Sequence, residues 1–202
     1  MRDIIFFKRI PVGFLGTNCY IISGDNKNAV VIDPGADFDK LKAALETNGL
    51  TAAAALLTHG HFDHHRAAKK FQETGVKIYL HRADEGLISY APRTITPILF
   101  TPDVYIQDGQ VLELAGLDIR VIHTPGHTAG GVCYYVGGLL FSGDTLFHGD
   151  TGRTDLRGGS FAQIKDSVVN RLFVLPDETK VYPGHEEETT IGEEKQWNTI
   201  ML

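Results

Sequence analysis

The chain has 202 residues, of which 43% are hydrophobic and 22% charged, and it carries a formal net charge of −6. This composition predicts one globular domain over residues 1–202, and the acidic balance argues against nucleic-acid binding, which needs a basic face. No apolar run is long enough to cross a bilayer, and no signal-peptide pattern follows Met1. Two cysteines cannot build a disulfide framework, so we expect a cytoplasmic protein without a membrane partner.

Apolar, β-branched runs broken by glycine-rich turns predict strands in the first third of the chain, at residues 4–10, 18–23 and 29–32. Helical spacing of apolar residues then predicts a helix, after which strands and helices alternate, at residues 38–48, 52–57, 66–74 and 76–80. Such alternation is typical of an α/β sheet with helices packed outside it.

Residues 83–102 contain three prolines and predict a connecting loop with at most a short helix. Beyond them short apolar runs separated by glycine occur again, as in the first half of the chain. They predict strands at residues 111–114, 118–123, 131–136, 139–142 and 180–182. Helices are predicted at residues 161–172 and 192–199. Two strand-rich halves with outer helices predict two sheets packed face to face.

The loop after the strand predicted at 52–57 holds the densest cluster of reactive side chains. His59, His61, Asp63 and His64 fall within six residues there. Neutral imidazole and carboxylate are the ligands that zinc, iron(II) and manganese accept. The segment therefore predicts a metal-binding loop rather than a solvated polar turn.

Three further motifs follow apolar runs and place a histidine or an aspartate beside glycine: Thr-Pro-Gly-His127, Ser-Gly-Asp144 and Tyr-Pro-Gly-His185. Each motif alone is weak, because Pro-Gly-His is common in ordinary turns. Ligands of α/β proteins gather where strands end, so together the four loops predict one shared site. The other histidines are assigned no metal role, and they are His65, His81, His123 and His148.

The order of these motifs, HxHxDH, GHT, GDT and PGH, resembles the metallo-β-lactamase superfamily of hydrolases. The Gly-Arg-Thr-Asp sequence at residues 152–155 and the segment at 189–195 are similar to its glyoxalase II-like branch, the hydroxyacylglutathione hydrolases. The resemblance covers essentially the whole chain, from Asn18-Cys19-Tyr20 and Asp33-Pro34-Gly35 to Lys195. It implies an α/β fold, a four-layer αββα sandwich, with the metal site at the edge of the two sheets.

The resemblance also implies two divalent metal ions, zinc foremost, with iron or manganese as alternatives. The positions that match the family's ligands are His59, His61 and His127 for the first ion, Asp63, His64 and His185 for the second, and Asp144 as a bridge. Open coordination positions at both ions are typical of a catalytic centre. By the same resemblance Asp63 is a catalytic residue, because it would both bind a metal and orient the attacking hydroxide.

Two more positions match the family by role. Asp33 matches a residue that holds the ligand loop by hydrogen bonds, although an aspartate that merely starts a turn is almost as good an interpretation. Arg153 matches a substrate-binding cation that faces the carboxylate of a thiol conjugate, and a guanidinium suits that role. An ion pair of Arg153 with Asp150 or Asp155 is an equal alternative.

Three departures from the family pattern bear on the substrate. Arg66 interrupts the usual Asp-His-x-Gly pattern, and we expect it to point outward from the next helix. Arg157 stands where the family has proline and adds a cation near the substrate loop. The resemblance includes no counterpart of the C-terminal helical domain with which glyoxalase II enzymes help to hold glutathione.

The resemblance implies hydrolysis of a small-molecule thioester, S-lactoylglutathione or a related hydroxyacyl–thiol conjugate, by a hydroxide held between the two metals. Two alternatives stay open. A persulfide dioxygenase would share the fold and the histidine string but would use one iron. A metal-dependent regulatory module would keep the site without catalysis.

Overall fold

The computed structural model describes residues 4–25 and 27–201, and in them twelve strands form two six-stranded sheets. The strands of the first sheet lie in chain order, and they are β1 (Phe6–Val12), β2 (Thr17–Ser23), β3 (Asn28–Ile32), β4 (Thr51–Leu56), β5 (Lys77–His81) and β6 (Val104–Ile106). The strand β2 pairs antiparallel with both β1 and β3, and each neighbouring pair from β3 through β6 is parallel.

The second sheet also keeps chain order, and its strands are β7 (Val111–Leu114), β8 (Leu117–His123), β9 (Val132–Val136), β10 (Leu139–Gly143), β11 (Lys180–Pro183) and β12 (Thr189–Thr190). Only β10 and β11 pair in parallel, and the segment between them includes two helical elements. The parallel pairs in both sheets require long crossovers, which place helices on the outer faces.

The helices are short and cover the two outer faces. They are α1 (Phe38–Thr47), α2 (Phe62–His65), α3 (Ala68–Glu73), α4 (Phe161–Asp166) and α5 (Ile191–Trp197). Single turns of 3-10 helix lie at Arg82–Leu87 and Thr199–Met201, and a π-helical segment, Ser167–Leu172, continues α4. None of the described helices is both long and apolar enough to span a membrane.

Alternation along the strands creates three apolar layers. In β2, Tyr20 and Ile22 face the core between the sheets, while Cys19 and Ile21 face the core under α1 and α3. A third core packs the second sheet against α4 and α5 through Ile164 and other buried residues. Three cores separate four layers, so the predicted αββα sandwich is confirmed.

Most predicted elements are present with ends shifted by one or two residues, and the helix predicted at 66–74 shows the main difference. Only α3 lies within that range, and a separate four-residue helix, α2, precedes it in the predicted ligand loop, with a break at Arg66 and Ala67 between the two. At the break the Ala67 N–H donates to the Pro34 carbonyl at 2.9 Å, outside its own helix. The loop after β3 therefore holds the turn between α2 and α3 by a backbone hydrogen bond.

Candidate metal centre

The seven predicted ligand residues meet at one edge of the sandwich, although both sheets contribute to them. The loop after β4 and helix α2 carry four of them. The remaining three, His127, Asp144 and His185, follow β8, β10 and β11 in the second sheet. A backbone hydrogen bond from Val132 N–H to the Thr58 carbonyl, 2.8 Å long, joins the two sheets beside the site.

His59, His61 and His127 form the first group. The His59 Nε2 and His61 Nδ1 atoms are 3.1 Å apart, and His61 Nδ1 lies 2.9 Å from His127 Nε2. All three rings stand nearly perpendicular to one another, so one nitrogen of each ring points to a common centre. Three converging imidazole nitrogens are a donor set for a transition metal ion.

Asp63, His64 and His185 form the second group. Asp63 Oδ2 lies 3.5 Å from His64 Nε2 and 3.3 Å from His185 Nε2. Asp144 stands between the groups, because its Oδ1 is 3.4 Å from His64 Nε2 and its Oδ2 is 3.5 Å from His127 Nε2. The structure thus brings together every residue that the sequence predicts as a ligand, in the predicted groups.

Hydrogen bonds behind the rings orient their nitrogens. His127 Nδ1 donates to the Arg153 carbonyl at 2.7 Å, which leaves the Nε2 lone pair directed into the site. His64 Nδ1 lies 2.9 Å from Asp33 Oδ2 in the same manner. Outer partners of this kind fix the tautomer and the direction of metal-binding histidines.

Asp33 lies where its predicted role requires. Besides His64, its carboxylate accepts the Thr58 N–H and the Thr58 hydroxyl, both at 2.7 Å, and it is 1% exposed. Its φ of 49° is in the left-handed region, where aspartate is among the non-glycine residues found most often. One buried carboxylate therefore holds both the start of the ligand loop and a ligand ring.

The charges of the site suit metal binding. Burial lowers the pKa of His61 to about 4, with the neighbouring His127 acting in the same direction. Burial alone would raise the pKa of Asp144, but the histidines around it, His64 first, lower it to about 2. At neutral pH these groups are a neutral imidazole and an ionised carboxylate, the forms that bind metal.

His64 differs from the other rings. Burial disfavours its charged form, yet the carboxylates of Asp144, Asp63 and Asp33 surround it and raise its pKa well above the ordinary value. A metal ion that binds His64 Nε2 must therefore displace a proton. The buried His64 Nε2 and Asp144 Oδ1 have no hydrogen-bond partner among the described residues. A bound cation would satisfy both atoms, which is the fit expected of a metal site.

A cleft of about 700 Å³ opens over this centre. Leu15 and Phe147 give it apolar walls, and Asp150, Arg153 and Glu186 line it with charge. A cleft of this volume can receive a small organic molecule with its reactive bond next to the ligand groups.

Arg153 lies at the cleft, but its guanidinium is paired with another residue. Its Nε and Nη2 donate to the two carboxylate oxygens of Asp155, both at 2.6 Å. The two side chains are 63% and 66% exposed, so water screens the pair and its exchange for another carboxylate costs little. The geometry therefore shows the alternative ion pair that the sequence left open, and it keeps Arg153 within reach of a ligand.

The two arginines that depart from the family pattern lie at different places in the structure. Arg66 occupies the turn between α2 and α3 and donates to the Thr96 carbonyl at 3.3 Å, so it precedes the helix on which we expected it. Arg157 lines a separate small cavity beside Asp84 and Leu87.

Sequence reasoning missed the residues of β2 that support the site. Thr17 Oγ1 donates to Asp63 Oδ2 at 3.1 Å. The Asn18 side chain and the Tyr20 hydroxyl both donate to the Pro183 carbonyl, at 3.0 and 2.7 Å, and hold the loop that carries His185. The Asn-Cys-Tyr sequence was part of the family resemblance, and that was the signal available for their role.

Comparisons with known proteins agree with this geometry. Residues 12–185 match the family described as "Metallo-beta-lactamase superfamily". The chain is 37% identical to hydroxyacylglutathione hydrolase GloC of Haemophilus influenzae, over 95% of this chain and 96% of that protein. The crystal structure of BLEG-1 B3 metallo-beta-lactamase aligns with a TM-score of 0.91 and 38% identity, over 97% and 99% of the two chains. TTHA1623 in a di-iron-bound form aligns with a TM-score of 0.82 and 37% identity, over 95% and 98%.

Proposed function

The chain belongs to the metallo-beta-lactamase superfamily and is a metal-dependent hydrolase, and we propose that its substrate is a small thioester, S-lactoylglutathione or a related hydroxyacyl–thiol conjugate. The observation that carries the proposal is the convergence of seven ligand-type side chains under an open cleft. The similarity to hydroxyacylglutathione hydrolase GloC over nearly the whole of both chains supports the thioester.

The residues fit two divalent ions. His59, His61 and His127 would hold one, and a second would be held by Asp63, His64 and His185, with Asp144 shared. The similarity to TTHA1623 in its di-iron-bound form supports a pair of ions and makes iron as suitable as zinc. Bound divalent ions would supply Lewis-acid polarisation of the thioester carbonyl and activation of water at neutral pH.

Asp63 is the residue that we assign to orienting the attacking water. The imidazoles of His64 and His185 outweigh the effect of burial and hold the pKa of Asp63 below its ordinary value, so the carboxylate stays ionised and accepts hydrogen bonds. The Thr17 hydroxyl donates a hydrogen bond to Asp63 Oδ2 and so orients the carboxylate. A thiol leaving group with a pKa of about 8.5 departs as a thiolate, so no strong general acid is required of the protein.

The cleft supplies the substrate contacts. Arg153 would exchange Asp155 for a carboxylate of the thiol carrier, because the exposed pair costs little to open. Leu15 and Phe147 would pack against the apolar part of the conjugate. The partner is thus a small molecule, and Arg153 is the proposed specificity contact.

A thioester panel with parallel metal analysis tests the proposal. Protein loaded with zinc, iron or manganese is offered S-lactoylglutathione and hydroxyacyl esters of other thiols, and thiol release is followed by a colorimetric thiol reagent. We expect turnover with about two ions per chain, as in two-metal hydrolases. One iron per chain with oxygen uptake on glutathione persulfide would overturn the hydrolase, and no turnover by fully loaded protein would favour a regulatory module.

A second candidate is β-lactam hydrolysis, favoured by the close alignment with BLEG-1 B3 metallo-beta-lactamase. A fold alone does not fix the substrate, so the same loaded protein is also offered a chromogenic cephalosporin. Turnover of the cephalosporin without turnover of any thioester would replace the thioester proposal with this one.

A further inference from the structure

Asp84 is a fully buried carboxylate that the proposed function does not use. It lies in the 3-10 turn Arg82–Leu87, directly after β5, and its side chain accepts three hydrogen bonds. Its Oδ2 accepts the Gly60 N–H at 2.9 Å and the Thr128 hydroxyl at 2.7 Å, and its Oδ1 accepts the Gly130 N–H at 2.6 Å. A buried carboxylate is tolerated when donors surround it in this way.

These three donors belong to two ligand loops from different sheets. Gly60 separates His59 from His61 after β4, whereas Thr128 follows His127 directly after β8. Asp84 is thus a third element that binds both loops with one carboxylate. The histidines of the first group depend on how these two loops are spaced, because His61 and His127 approach within 2.9 Å across them.

The two glycines allow this approach. A Cβ at Gly60 would lie 2.6 Å from the Asp84 carbonyl oxygen, and a Cβ at Gly130 would lie 2.7 Å from the Asp84 Cγ. Real Cβ atoms do not come so close to other heavy atoms, so a side chain at either position would force the loop or Asp84 to shift. The backbones of both loops therefore approach Asp84 closely because glycine occupies these two positions.

From this arrangement we propose that Asp84 is a positioning residue for the metal centre, which sets the distance between the His59–His61 loop and His127 through its three hydrogen bonds. The proposal rests on the metal-binding role of those histidines given above. It predicts that loss of the Asp84 carboxylate alters the first ligand group even where the fold persists. Partners behind metal ligands typically change metal affinity by about 10- to 100-fold when removed.

The test is the Asp84→Asn variant, which keeps the shape but places an amide donor against the N–H and O–H donors of the loops. Zinc affinity is measured by competition with a chromogenic chelator, and the absorption spectrum of the cobalt-loaded protein reports the ligand geometry. We expect zinc affinity to fall about 10- to 100-fold and the cobalt spectrum to shift, with kcat reduced more than KM changes.

Asp103→Asn is the matched control. Asp103, an exposed aspartate directly before β6, accepts the Ile78 N–H at 2.9 Å and the Gln72 side chain of α3 at 2.8 Å, and no hydrogen bond or ion pair among the described residues joins it to either ligand loop. This variant should keep the wild-type zinc affinity and cobalt spectrum. A spectrum that changes in both variants alike would show a general loss of stability and would overturn the positioning role.

Thr128→Val keeps the test decisive if Asp84→Asn fails to fold. It removes one donor at nearly constant side-chain size, so a smaller loss of affinity in the same direction is expected. In the double variant the loss of zinc affinity, expressed as free energy, should be smaller than the sum of the two single losses, since both substitutions remove the same contact. Wild-type affinity and spectrum in folded Asp84→Asn, or in Thr128→Val when the former does not fold, would overturn the proposal. Wild-type protein that binds no zinc or cobalt would instead overturn the metal centre itself.

Discussion

Asp144 and His185 occupy different positions in the centre, although both come from the second sheet. The two carboxylate oxygens of Asp144 face different histidine groups, at 3.4 Å from His64 and 3.5 Å from His127. His185 Nε2 lies 3.3 Å from Asp63, on the side of the second group. Loss of one or the other should therefore have different consequences for the two proposed ions.

We expect Asp144→Ala to lower the occupancy of both metal positions and His185→Ala to lower chiefly that of the second. The reason is that Asp144 has one carboxylate oxygen near His64 of the second group and the other near His127 of the first. Metal content after dialysis, measured by elemental analysis, gives the number of ions per chain. His148→Ala, which removes an exposed cleft histidine, is the control and should retain both ions. Loss of the same single ion in the Asp144 and His185 variants would contradict the shared position of Asp144.

Single residues differ in how well the sequence predicts them. His59, His127 and His185 could be predicted because each stands beside glycine at the end of an apolar run, a local pattern. Asp84 could not, since its partners lie 24, 44 and 46 residues away and their contact depends on how the sheets pack. The pairing of Arg153 with Asp155 was an open alternative because a loop sequence does not fix side-chain direction.

Helix α5 begins with a capping pattern that the sequence shows, Thr190 followed three residues later by Glu193. The Thr190 hydroxyl oxygen accepts the Glu193 N–H at 3.2 Å, and the hydroxyl donates to Glu193 Oε2 at 3.1 Å. Ile191 then packs α5 into the outer core of the second sheet. The cap therefore stabilises the element that covers β11 without touching the metal ligands.

We expect Thr190→Ala to lower the free energy of unfolding by about 1 kcal/mol, because an N-cap side chain satisfies N–H groups that the helix leaves unpaired. Chemical denaturation followed by circular dichroism measures the change, and metal content should stay at the wild-type value. Thr47→Ala, in the exposed last turn of α1, is the control with an expected change under about 0.5 kcal/mol. Equal destabilisation by both variants would argue against the cap.

Whole elements were predictable where the apolar pattern was long. The strands β2, β3 and β4 and the helix α1 have the predicted type and nearly the predicted ends. The strands β6 and β12 were missed because they contain three and two residues and exist through pairing with β5 and β11. Segments of two or three residues are too short to show an alternation of apolar and polar residues, and tertiary contacts decide their conformation.

The metal centre links the two halves of the molecule. Four proposed ligands follow β4 of the first sheet and three follow strands of the second, while the inter-sheet core packs Ile32 and Leu56 against Val121 and Phe141. A bound ion therefore adds attachments between sheets that also meet through this apolar packing and through hydrogen bonds such as that of Val132 with Thr58. One domain over residues 1–202 stays a prediction, and unfolding experiments bear on it.

We expect removal of metal by a chelator to lower the melting temperature in a single cooperative transition. An ion at 100 times its dissociation constant stabilises the folded state by about 2.7 kcal/mol, which corresponds to about 5–10 °C for a chain of this size. Calorimetry with and without chelator measures the shift. In Asp144→Ala the chelator should have a smaller effect. An unchanged melting temperature would contradict the link between the sheets, and two separate transitions would contradict one domain.

The parallel pairing of β10 with β11 has a consequence for biosynthesis. His185 follows β11, which enters the sheet only after the whole crossover through α4 has been made. A nascent chain that has released the His59–His64 loop from the ribosome still lacks this partner strand. The last ligand reaches its place only after β11 has been made, so a copy truncated before β11 cannot complete the centre. A full set of the seven proposed ligands therefore exists only in chains that have been made through His185.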